Sequence, residues 1–251
     1  MRTSGKTALV LGALAALLWS RHFYVLEGLR GGDVPVLVLQ FHLLFWPAAV
    51  FLLLLFISGR TSALSVFNRR ETRFLALAAA GGYGFWVLRA LALESGDASQ
   101  VHLLFYTAPL LMGLLSVFTG ERADRKVAFG LLLGFIGCIV LVEGQDSGME
   151  AAAPVRWSAR FLAVGAAACW AAFSLMARPI VREEKVLPVA ALVTGVGAIC
   201  LFVTCLSTGE SIFRISPPQM LTAALAGFFT VGLMMAAWLK CLGMMPVALA
   251  S

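Results

Sequence analysis

Long apolar runs separated by short polar breaks fill this chain, and the period-2 alternation of a membrane strand is absent from them. A bilayer core about 30 Å thick needs about 20 apolar residues at a helical rise of roughly 1.5 Å per residue. Eight runs of that length stand between charged or Pro/Gly breaks, over residues 7–27, 35–57, 74–93, 98–119, 127–145, 158–178, 187–207 and 220–242. A ninth apolar segment begins near Pro246 and the sequence stops at Ser251. Lipid offers backbone groups no hydrogen bonds, so runs of this kind must be helices. The pattern predicts an all-α, polytopic membrane helix bundle. Met1 to Lys6 followed by an apolar run has the outline of a signal peptide. That run continues to about Val25 and further spans follow it, which predicts an uncleaved first helix.

Composition sharpens this picture. Of the 251 residues, 61% are hydrophobic and 13% charged, and the mean hydropathy is +0.92. Soluble domains use about 45–50% apolar residues, so a water-soluble fold is excluded. The net charge of +6 does not point to nucleic acid, because the basic residues sit in clusters between the apolar runs. They set orientation instead. With the N-terminus cytoplasmic, the inner side holds Arg2, Lys6, Arg60, Arg69, Arg70, Arg73, Arg122, Arg125, Lys126, Arg178, Arg182, Lys185 and Lys240, and the outer side only Arg30, Arg156, Arg160 and Arg214. That positive-inside bias predicts a multi-pass protein of the cell (inner or plasma) membrane with a cytoplasmic N-terminus. Cys138, Cys169, Cys200, Cys205 and Cys241 fall in or at the ends of apolar runs without a metal-ligand spacing, and read as small hydrophobes with reduced thiols.

The two halves of the chain resemble one another. Residues around Trp19 match AAACWAAF around Trp170, Pro35 matches Pro188, and LRALALESGDAS of the third span matches AAWLKCLGMMPVA of the eighth. An odd number of helices per unit makes the two copies opposite in orientation, as in many secondary transporters. This predicts one five-helix unit over 1–146 and a second, incomplete one over 157–251, with roughly 40 further residues needed to finish it, the alternative being a natural eight-span protein.

The stretch from Ala90 to Val142 carries a family signature. A small-residue turn ALALESGDASQVHLL is followed by YTAPLLMGLLSVFTGER with Pro109, then by Gly120 and Glu121 closing the fourth span, and then by Gly130 in FGLLLGFIGCIVLV. Together with the pairs at Trp19 and Trp170, these residues resemble the EamA-type drug/metabolite transporters. The resemblance implies two inverted five-helix repeats, here with the second incomplete, and alternating access for a small organic solute such as a metabolite, amino acid or drug.

Ionisable residues at membrane depth cost on the order of 2.5–3.5 kcal/mol each, so each needs a partner or a wet cavity. Arg21, His22, His42, Arg89 and His102 fall at a common depth in the first four spans. Each of these helices also places an aromatic on the same face at three- or four-residue spacing: Trp19 with His22, His42 with Trp46, Phe85 or Trp86 with Arg89, and His102 with Tyr106. One layer of such residues would suit a solute with an apolar body and an anionic group. The opposing reading is that Arg21 and Arg89 snorkel outward or pair with Glu27 and Glu94 while the histidines are structural. The histidines are also candidates for a coupling proton. Pro47 and Pro109 are candidate helix kinks beside a cavity, or local packing features. Gly130 and Gly134, continued by Gly137, form a close-packing step, read first as intramolecular and alternatively as a homodimer contact. Glu121 with Arg122, Arg125 and Lys126 reads as a solvated helix-end cluster that fixes topology, with a gating ion pair as the alternative.

No HExxH, GxSxG, P-loop or acidic pair occurs at membrane depth. The expectation is therefore a transporter without catalytic residues, metal or cofactor, embedded in a lipid bilayer. The competing expectation is a non-transporting membrane sensor or scaffold, which would be packed solid where a transporter has a central cavity.

Overall fold

The computed structural model describes residues 2–30, 34–65, 67–118, 129–137, 140 and 157–250. Among them the elements are helices: α1 (Arg2–Arg30), α2 (Val36–Ile57), α3 (Arg69–Ser95), α4 (Ala98–Phe105), α5 (Ala108–Phe118), α6 (129–137), α7 (Trp157–Ala177), α8 (Val186–Ser207), α9 (Pro217–Ala226), α10 (Met234–Met244) and α11 (Val247–Ala250). A π-helical stretch, Gly227–Leu233, joins α9 to α10 without a break. Seven helices are long and apolar enough to cross a membrane, with α4 and α5 making one span and Pro217–Met244 another. The fifth expected span, 127–145, lies partly outside the described residues, and Gly120, Glu121, Arg122, Arg125 and Lys126 lie wholly outside them.

Several helices outrun the apolar cores that identify them. α3 starts at Arg69 because Asn68 and Glu71 form a reciprocal cap, with Glu71 N–H donating to Asn68 Oδ1 at 2.9 Å and Asn68 N–H to Glu71 Oε2 at 3.1 Å. Lys185 Nζ then donates to Glu71 Oε1 at 2.7 Å, tying this end to the loop before α8. Asp97 caps α4, accepting from Gln100 N–H at 3.0 Å. α2 and α8 terminate alike. Gly59 (φ 65°) and Gly209 (φ 77°) adopt the left-handed backbone that glycine tolerates best. Arg60 N–H and Glu210 N–H return to the carbonyls of Leu55 and Cys205 at 2.9 and 2.8 Å, the six-to-one bond of a Schellman stop.

α3 lies along α7, α2 along α8, and α1 along α10 and the π-helical stretch. Small residues bring the backbones close. A Cβ placed on Gly81 would meet Phe173 N at 2.9 Å and Cys169 O at 3.0 Å, so α3 and α7 pack nearly main chain to main chain there. Large apolar side chains such as Leu17, Phe56, Ile57, Phe161 and Leu206 point away from the bundle. So extensive an apolar exterior suits acyl chains and not water. Gly130, Gly134 and Gly137 have nothing within 4 Å of an added Cβ. The expected intramolecular packing at these glycines is therefore not seen among the described residues, because α6 presents that face outward.

Candidate functional site

Trp19 of α1 and Trp170 of α7 stack with ring centroids 5.8 Å apart and planes 17° apart. Phe85 of α3 sits 5.6 Å from Trp19 and 5.1 Å from Trp170. Trp238 of α10 lies 6.1 Å from Trp170, and its Nε1–H donates to Ser174 Oγ at 3.2 Å. Beside these rings opens a cavity of about 240 Å³ whose remaining wall includes Phe105, Tyr106, Pro109 and Met112. Gly12, Ala15, Ala16, Ala108 and Ala167 also face it, and their small side chains create the room.

One helical turn beyond Trp19 lies a buried polar cluster. His22 stacks on Trp19 with centroids 4.9 Å apart and planes 4° apart. Arg89 of α3 is fully buried. Its Nη1 lies 2.8 Å from His22 Nε2. Guanidinium nitrogens only donate, so His22 Nε2 accepts and its proton is on Nδ1. Nδ1–H donates to Thr230 Oγ1 at 3.0 Å, and Thr230 donates in turn to Ala226 O at 2.8 Å. This chain runs from α3 through α1 into the π-helical stretch. An i→i+5 insertion of this kind inside a helix is often found at functional sites.

Arg89 is wrapped by rings. Its Cζ lies 5.4 Å from the centroids of Trp19 and Phe23 and 5.7 Å from those of Trp86 and Phe105. Desolvated cation–π contacts of this sort contribute up to about 2 kcal/mol each, which replaces part of the lost hydration. Nε and Nη2 nevertheless have no hydrogen-bond partner among the described residues. Among the described residues no carboxylate pairs with Arg89; Glu27 binds Arg30 at 2.9 Å and stands 3.6 Å from His102 Nε2. Trp19 and Phe105 both line the cavity and both cover Arg89, so they partition the guanidinium from the open space.

The expected layer is thus assembled in part. Trp19, His22 and Arg89 form one group, with His102 joined to it through Phe23 at 4.2 Å and Tyr106 on the cavity wall. Arg21 is exposed and faces away from that group, one residue off the buried stripe of α1. His42 belongs elsewhere, its Nε2 donating to Ile212 O at 2.9 Å, and Trp46 on the same helix is half-buried. Pro47 stands inside an unbroken α2, whereas Pro109 is the second residue of α5, immediately after the turn at Tyr106 and Thr107 that interrupts the fourth span. Phe23, Phe105 and Trp238 complete the site and were not expected from sequence. Trp170 was singled out there only as the counterpart of Trp19.

These features have relatives. A protein of known crystal structure superposes on 98% of this chain and 82% of its own length, with a TM-score of 0.78 and 23% identity, and so shares the fold. The uncharacterized transporter YyaM of Bacillus subtilis (strain 168) is 25% identical over 190 residues, which is 74% of this chain. The chain spans 62% of the length of that relative. Residues 6–143, more than half of the chain, match the EamA-like transporter family, and the chain belongs to that family.

Proposed function

We propose that this protein carries a small organic solute, with an apolar body and an anionic group, across the inner or plasma membrane. The observation that carries the reading is Arg89: a buried guanidinium with Nε and Nη2 unpartnered among the described residues, one turn from an aromatic cavity between the spans. Insertion of such a charge costs about 2.5–3.5 kcal/mol, and a bound anion would repay it where no carboxylate among the described residues does. The aromatic walls take the apolar body. Trp19 is the door between the two compartments, and its rotation brings the anionic group onto Arg89.

Transport proceeds by alternating access, with the two units 1–146 and 157–251 rocking about this site and the N-terminus in the cytoplasm. Several contacts support the two-unit reading. α2 lies along its counterpart α8, and α1 on α10 mirrors α7 on α3. Trp19 and Trp170 meet ring to ring, and α2 and α8 share a glycine stop. The cavity favours a transporter over a solidly packed sensor or scaffold. Proteoliposomes containing the protein should release a preloaded mixture of organic monoanions at least tenfold faster than empty liposomes. Equal release rates would overturn the reading.

The outward glycine face of α6, with Gly130 and Gly134 one turn apart, is the surface through which two copies would pair. Mass measurement in detergent should give a dimer for the parent and a monomer for Gly134→Ile. A monomeric parent overturns the pairing.

A further inference from the structure

The cavity says more about the solute than that it is an organic anion. We propose, building on the transport reading above, that the solute is a flat aromatic monoanion without an ammonium group, such as an aryl carboxylate.

Shape argues for flatness. The Trp19 and Trp170 rings are nearly parallel, at 17°, and Trp238 continues the wall at 30° to Trp170. Offset-stacked faces of this kind reward a planar guest more than a puckered one, since aromatic pairs contribute about 0.5–1.5 kcal/mol beyond area burial. The volume of about 240 Å³ lies below the roughly 300–1,000 Å³ of pockets for drug-sized ligands. One ring or two fused rings with a short acidic group fill it.

Charge argues against an ammonium group. Among the described residues no Asp or Glu lines the cavity. An ammonium needs acceptors for three N–H donors. The walls offer indole donors, of which Trp238 Nε1 is already bonded to Ser174, and the Tyr106 hydroxyl. Ring faces alone can attract a cation, yet Arg89 already lies against Trp19 and Phe105 at 5.4 and 5.7 Å. A second cation on the far side of those rings meets like charge across a medium of low dielectric. A zwitterionic amino acid would thus satisfy its carboxylate and strand its ammonium.

Equilibrium dialysis of matched probes against the detergent-purified protein, with empty micelles subtracted, tests this. The probes are naphthoate, neutral naphthamide, saturated decalincarboxylate, zwitterionic naphthylalanine and cationic naphthylmethylammonium. Naphthoate should bind at least tenfold tighter than each of the others. Arg89→Met should erase its advantage over naphthamide, and Trp170→Leu its advantage over decalincarboxylate. If naphthylalanine or decalincarboxylate binds as well as naphthoate, with Arg89 still required, the aromatic-monoanion inference falls and the organic-anion transport reading stands. If no anion binds in an Arg89-dependent way, or the cation binds best, both fall.

Discussion

Arg89→Met should abolish transport of organic anions while leaving the protein at least as resistant to heat as the parent. A buried anion held by a charged partner loses about 2–5 kcal/mol when that partner is truncated. At about 1.4 kcal/mol per factor of ten, affinity falls by roughly 30-fold to several thousand-fold. Stability moves otherwise. Methionine fills much of the same volume without a charge, which removes an insertion cost of about 2.5–3.5 kcal/mol. Against this, His22 Nε2 loses the donor now 2.8 Å away, and a buried acceptor left alone costs about 1–3 kcal/mol. The four cation–π contacts are lost too, but the methionine thioether keeps favourable contact with the same rings, and replacing buried charges by apolar groups is often neutral or stabilising. Arg89→Ala should lose transport equally but also stability, because it leaves a void among Trp19, Phe23, Trp86 and Phe105. Arg89→Lys should be intermediate in transport, since its point charge lacks the planar fork. Unimpaired anion transport by Arg89→Met refutes the anchor. A large fall in its thermal midpoint shows a structural role instead.

The bundle was legible from the sequence because lipid makes a simple demand: every apolar run of sufficient length becomes a helix. Runs expected over 35–57, 158–178 and 187–207 appear as Val36–Ile57, Trp157–Ala177 and Val186–Ser207. The run at 74–93 grew to Arg69–Ser95 because the polar turns at the membrane surface stay helical once Asn68 caps them. Two interruptions left no trace in hydropathy. The turn at Tyr106 and Thr107 and the π-helical Gly227–Leu233 change the hydrogen-bond register without changing residue polarity.

The site was legible where one helix carried it. Trp19 and His22, three residues apart, were bound to share a face, and so were Trp86 and Arg89. What joins them is tertiary: Phe23 and Phe105 against the guanidinium, Trp170 against Trp19, Thr230 beneath His22. Apolar aromatics are too common in a membrane chain to stand out, so an expectation led by ionisable residues passes over them. It also gathered Arg21 by depth, and His42 by depth and its spacing from Trp46. Depth is one coordinate of three, and rotation about the helix axis places Arg21 outside while His42 turns to the Ile212 carbonyl.

Gly227→Ala should lower the thermal midpoint sharply, and Gly227→Val should prevent a stable fold. A Cβ at Gly227 would lie 2.9 Å from Leu43 O, 3.2 Å from Leu43 Cα and 3.3 Å from Leu43 C. All three are backbone atoms of α2 and none can rotate aside. Proline four residues on, at Pro47, has no N–H to donate to that Leu43 carbonyl, so α2 presents it where Gly227 packs. Gly232 repeats the fit one step later, where a Cβ would stand 3.1 Å from Pro47 Cβ. Overpacking at such a contact costs about 1–3 kcal/mol or more. The displacement would also move Thr230, three residues beyond Gly227, away from His22 Nδ1 and loosen the chain that ends on Arg89. Gly28→Ala is the control, because nothing lies within 4 Å of a Cβ there and alanine favours a helix by about 0.8–1 kcal/mol over glycine. Its midpoint should be unchanged or higher. Should Gly227→Ala prove as stable as Gly28→Ala, the proline and glycine contact does not hold α2 against the π-helical stretch.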